Sequence, residues 1–124
     1  MSFRKEKKYR LSLSEQKILK SQLLKNGMKH LHPKRIINSI YFDTRNLDFH
    51  LNSEEGVLPR KKIRIRWYNN NISQSQLETK VSSVEGRFKT SKPFKKNILL
   101  NKRNLQITDK NYGILKPKVL ISYK

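Results

Sequence analysis

The chain reads as an α+β protein: an antiparallel β-sheet with one N-terminal amphipathic helix packed on its outside. Three observations predict this class. Residues 60 to 68, Arg-Lys-Lys-Ile-Arg-Ile-Arg-Trp-Tyr, alternate side-chain character with the period of two that a half-buried strand requires. The same alternation returns over 36–43, 76–82 and 118–124, between clusters of turn-forming residues. Before them, a Ser-x-x-Glu capping box precedes leucines at helical spacing.

Phe3 to Leu11 form the first expected strand, with Arg4, Glu6, Lys8 and Arg10 on a wholly charged face. Ser12 and Glu15 then cap a helix carrying Ile18, Leu19, Leu23 and Leu24, which Gly27 terminates. His30 and His32 belong to a connection, and nothing nearby completes a metal site around them. Ile36 to Asp43 make a second strand, with Ser39, Tyr41 and Asp43 on one face and Asn38, Ile40 and Phe42 on the other. Thr44 to Leu51 suggest a short helix or turn, Glu54-Glu55-Gly56 a turn, and Pro59 a strand opening.

The Asn69-Asn70-Asn71 cluster makes strands 60–68 and 76–82 an antiparallel hairpin. In the second arm Leu77, Thr79 and Val81 alternate with Gln76, Glu78, Lys80 and Ser82. Glu85-Gly86 turns the chain into a short strand at Arg87-Phe88-Lys89. Residues 91–113 carry little pattern, with Leu99, Leu100 and Leu105 assigned to a short helix. Lys118 to Lys124 close as a strand with Val119, Ile121 and Tyr123 on one face.

Composition narrows the partners. The 29 Lys+Arg against 9 Asp+Glu give a formal charge of +20 on 124 residues, which attracts phosphates of any kind. One domain, 1–124, is expected, and the absence of cysteine excludes disulfides and thiolate metal sites. No apolar run reaches membrane-span length and no signal segment opens the sequence, so a soluble, cytoplasmic protein is expected. Within strand 60–68, Arg60, Lys62, Arg64 and Arg66 form one row of cations about 6–7 Å apart. Lys61, Ile63, Ile65 and Trp67 take the other face. A row of like charges costs self-repulsion, which a phosphate chain or nucleic-acid backbone relieves. The plain alternative is a solvated cationic face.

Four further segments sharpen the choice: Arg4-Lys5-Glu6-Lys7-Lys8-Tyr9, Asn38-Ser39-Ile40-Tyr41-Phe42-Asp43-Thr44, Arg60 through Tyr68, and Leu77-Glu78-Thr79-Lys80. In this order and at these intervals they resemble the VTC domain of the vacuolar transporter chaperone complex, which is related to the CYTH group of triphosphate tunnel enzymes. The closing Lys116 to Lys124 is similar to the strand that starts that domain's second half. The resemblance implies strands curving into part of a triphosphate-tunnel barrel, and a polyphosphate-polymerase-like or triphosphatase chemistry dependent on Mn²⁺ or Mg²⁺. It implies Lys8, Arg64, Arg66 and Lys80 as phosphate-binding cations, with Lys89 or Arg87 at the next basic position. Glu6 is the candidate metal ligand, and Glu78 is read as neutralising its cationic neighbours. Polyphosphate, triphosphate or a nucleotide is the implied ligand.

The pattern departs from the group in two places. Arg4 stands where the CYTH hallmark has its first glutamate, which favours the VTC type. The sequence also stops at Tyr123-Lys124, where relatives continue, so it is expected to match the first half of such a domain, truncated and without the late metal-binding glutamate. Three readings stay open: a chain active once a second chain completes the tunnel, a non-catalytic anion binder, and a basic nucleic-acid-binding, ribosome-associated protein. In the last, Tyr41, Trp67 and Tyr68 would stack on bases.

Overall fold

The computed structural model describes residues 2–4, 7–94 and 105–124. Strand β1 (Ser2–Arg4) is followed by helix α1 (Leu13–Lys25), strand β2 (Ile37–Asp43) and helix α2 (Asp48–Glu55). Strands β3 (Arg60–Tyr68), β4 (Gln76–Ser82) and β5 (Arg87–Pro93) come next, with a single 3₁₀ turn at Ile72–Gln74 between β3 and β4. Strands β6 (Ile107–Asp109) and β7 (Gly113–Tyr123) close the order. The strands make one curled antiparallel sheet, a half-barrel in the order β1-β5-β4-β3-β2-β7-β6.

One face of the sheet buries the core. Ile63 and Ile65 of β3 and Ile40 and Phe42 of β2 meet Phe49 from α2, with Leu105 and Leu115. Trp67 and Leu77 pack against that cluster, so the apolar half of the cationic strand faces inward as its alternation requires. Lys61 is the one charge on that face of β3, and it is matched: its Nζ lies 3.1 Å from Asp109 at the end of β6. α2 is anchored by Asp43, the last residue of β2. Its buried carboxylate accepts backbone N–H bonds from Thr44, Phe49 and His50. Thr44 and Asp48 exchange two further bonds beside it.

β7 serves two neighbours. Residues 113–115 pair with β6 and residues 116–123 with β2. Between Tyr41 and Phe42 the register slips, placing Val119 opposite Tyr41 but Pro117 opposite Phe42. Lys118 is the extra residue of a bulge, and the neighbouring proline sits where a missing N–H is tolerated. Val119, Ile121 and Tyr123 do share a face, as their alternation predicts. It is the face of Tyr41 and Ser39, not the core face.

Three expectations need correction. The first strand spans Ser2–Arg4 and not Phe3 to Leu11. Its partner β5 begins at Arg87, opposite Arg4, and among the described residues, 7–11 take no part in a strand. The expected helix exists, with Ser12 Oγ accepting from the Glu15 N–H at 3.2 Å and Gly27 at φ +93° beyond its end. However, it is not packed on the sheet, since none of its residues is buried. Its apolar side chains do not form one stripe: at about 100° per residue, Lys20 falls between Leu23 and Leu24 around the helix, and Ile18 stands well away from both. Finally, Leu105 lies in no helix: it has no regular secondary structure and is buried in the core. Leu99 and Leu100 lie outside the described residues. No helix among the described residues is long and apolar enough to cross a membrane.

Candidate functional site

Over β3, β4 and β5, and at Ser39 and Tyr41 of β2, the second face of the sheet is polar, and the strand registers set its side chains out as a lattice. Strands are about 4.8 Å apart, and same-face residues of one strand about 6–7 Å apart. Lys62, Lys80 and Lys89 stand side by side across β3, β4 and β5 in one row. Arg60, Ser82 and Arg87 form the row on one side. On the other side lies Tyr41–Arg64–Glu78–Ser91, and beyond it Ser39–Arg66–Gln76. Like charges directly opposite one another destabilise a sheet, and Glu78 in the neighbouring row offsets them in part by pairing with Lys89.

Over the first rows lies a cavity of 340 Å³. Of the five cations expected to bind phosphate, Lys8, Arg64, Lys80 and Lys89 line it. Arg60, Lys62 and Arg87 line it as well. Lys8 reaches it from the segment before α1, not from a strand as expected. Arg66 shares the face but lies outside the cavity lining, where its Nε donates to Ser39 Oγ at 3.4 Å. Arg60 and Lys62 already stood in the period-two row of the sequence. The resemblance pointed past them to Arg64 and Arg66, and only the cross-strand register shows that Lys62 lines up through Lys80 with Lys89 and Arg60 through Ser82 with Arg87.

Arg64 is the most firmly held of these cations, 7 % exposed. Its Nε donates to Glu78 Oε2 at 2.8 Å, and its Nη2 lies 2.7 Å from the same oxygen. Nη1 donates to the Tyr41 hydroxyl at 3.0 Å. Burial alone would depress the guanidinium's pKa, but the bonds to Tyr41 and Glu78 outweigh it and raise it further. The other carboxylate oxygen of Glu78 lies 3.2 Å from Lys89 Nζ. Burial would raise the Glu78 carboxyl; Arg64 and Lys89 reverse that and hold it below the usual carboxylate range. The neutralising role read for Glu78 thus has a geometry. Lys80 differs in sign: its partial burial comes first, and the charges of Arg64, Arg66 and Lys89 add to it, pulling its ammonium below the ordinary lysine value. The nearby Glu78 only partly offsets this.

The aromatic residues that would stack on bases are engaged elsewhere. Trp67 packs on the core, Tyr68 lies under Arg35 with the guanidinium carbon 3.7 Å from the ring centroid, and Tyr41 holds Arg64. A divalent ion is no better provided for. Among the described residues no three His, Asp or Glu side chains gather as a ligand set, and both oxygens of Glu78 are committed to cations. Glu6, the expected ligand, lies outside the described residues. The donors of the described residues do not fit a divalent cation.

A search of curated proteins returned no match to this chain. The family model for the VTC domain matches residues 3–124, and with nearly its whole length covered the chain belongs to the VTC domain family.

Proposed function

We propose that the cation-lined cavity binds a short run of linked phosphates, of the triphosphate or polyphosphate class, and that the curled sheet is one wall of a triphosphate-type tunnel. The observation that carries this reading is the row Lys62–Lys80–Lys89, three ammonium groups side by side with the fixed Arg64 next to them. Glu78 is the one carboxylate that β3, β4 and β5 place on their polar face, against Arg60, Lys62, Arg64, Lys80 and Lys89 of the cavity lining. Linked phosphates put several negative oxygens within a few ångströms of one another, and one such ligand can touch neighbouring cations in two rows. Lysines act as mobile point charges toward it, while a guanidinium offers a directional fork. The VTC family membership agrees with a polyphosphate-related role. Clamping phosphoryl oxygens is also what stabilises a loose phosphoryl-transfer transition state, should a facing wall complete the site.

Calorimetric titration with tripolyphosphate, beside an RNA oligomer of matched charge, tests the reading. Lys80→Ala/Lys89→Ala is the informative variant, because Glu78 keeps Arg64 at Oε2 although its Oε1 loses Lys89. Tripolyphosphate affinity is expected to fall by about 150-fold or more, the worth of two charge-assisted hydrogen bonds, with RNA binding changed only a few-fold. Equal weakening for both ligands, scaling with salt alone, would leave a diffuse basic surface and favour nucleic acid.

A further inference from the structure

We infer that Tyr41 is a positioning residue of the anion site: its hydroxyl fixes one end of the Arg64 guanidinium while Glu78 fixes the other. The inference deepens the function proposed above and rests on it. A guanidinium has five N–H donors in a planar fork. In Arg64 the Nε–H and one Nη2–H face Glu78 Oε2, and one Nη1–H goes to Tyr41. Two N–H groups are left, one on each terminal nitrogen, and these are what a phosphate can take. Tyr41, Arg64 and Glu78 come from adjacent strands in one cross-strand row, so the clamp is built by the register itself. Tyr41 lines the same cavity as Arg64, which places its hydroxyl at the wall the ligand would face.

Arg66, one row further along β3, makes the comparison. Its Nε reaches Ser39 at 3.4 Å, a long and weak bond, and it stands outside the cavity lining. The two arginines of the Arg-x-Arg pair are therefore unequal. Arg64 is held at both ends before any ligand arrives, and less side-chain entropy is lost on binding to it. Arg66 is free to follow the ligand or solvent.

Tyr41→Phe isolates the idea, since it keeps the ring and the charge of the site and removes one acceptor. Tripolyphosphate binding is expected to weaken roughly five- to tenfold, the net worth of one ordinary hydrogen bond. Thermal unfolding should shift little. In the wild type the Arg64 Nη–H signals should be resolved by nitrogen-15 NMR, because rotation about the guanidinium bonds is restrained, and they should merge in Tyr41→Phe. In an Arg64→Ala background, Tyr41→Phe should cost less than twofold; Arg64→Gln, which leaves an amide N–H for Glu78, replaces it if the alanine variant does not fold. Unchanged affinity in Tyr41→Phe, or a weakening that persists undiminished without Arg64, overturns the positioning role alone. A wild-type chain that does not bind tripolyphosphate overturns the functional reading and this inference together.

Discussion

At the residue scale, the polar face separates cations that are stabilised in place from one that is not. Arg64 and Lys89 have Glu78 as a counter-ion, whereas Lys80 sits between Lys62 and Lys89 in register and is pulled down in pKa. The sign of the linkage follows. A lysine with a depressed folded-state pKa penalises the fold wherever it is charged in both states, and the penalty fades as pH rises from its folded pKa to the ordinary lysine value. Lys80→Met should therefore raise the Tm of the ligand-free protein at neutral pH by about 1–4 °C, as removal of one cross-strand repulsion allows. Its advantage over wild type should disappear in alkaline solution. The same variant should bind tripolyphosphate more weakly. A Tm that falls at neutral pH would show that the lysine stem, not its charge, matters at that position.

The two helices make opposite contributions at the element scale. α1 is held by local devices, the Ser12 cap and the Gly27 terminus, and has no buried residue. α2 is shorter but buries Phe49, whose ring meets Tyr112 edge-on at 4.8 Å, and it is tied to β2 by the Asp43 carboxylate. Ser21→Pro within α1 should reduce the helical circular-dichroism signal while leaving Tm within about 1 °C, because a proline costs about 3 kcal/mol only where helix and core unfold together. Phe49→Ala should cost about 3–5 kcal/mol. A large Tm drop in the α1 variant would mean that the helix packs on the sheet after all. This contrast also marks how much was legible in the sequence. β3 and β4 were readable to the residue, because alternation and the Asn cluster are local signals. The true length of β1 was not, since it depends on where β5 begins. Nor was the α2 anchor, because Asp43 reaches residues six and seven positions ahead through a fold that the local pattern does not specify. For the site, the row on β3 was visible, but its meeting with Lys89 and the clamp by Tyr41 are properties of strand register.

At the scale of the whole molecule, a formal charge of +20 on 124 residues works against compaction, and the cationic face concentrates part of that charge. Two anion effects should then be separable. Simple salt screens every exposed pair within a Debye length of about 10 Å at 0.1 M, so sodium chloride should raise Tm gradually and without saturation over the moderate range. A ligand seated in the cavity acts by mass action instead: at a hundred times its Kd it adds about 2.7 kcal/mol to the folded state. For a chain of this size that is a Tm rise of roughly 8–15 °C, reached at a total ionic strength where chloride does little. Lys80→Ala/Lys89→Ala should keep the gradual salt response, since most of the charge remains, and lose the saturable rise with tripolyphosphate. Scanning calorimetry on both proteins, in chloride and in tripolyphosphate at equal ionic strength, reads the difference directly. If the two salts superimpose for the wild type, the cationic rows are a screened surface. If only the wild type shows the saturable increment, the repulsion built into the sheet is the energy that a bound chain of phosphates releases.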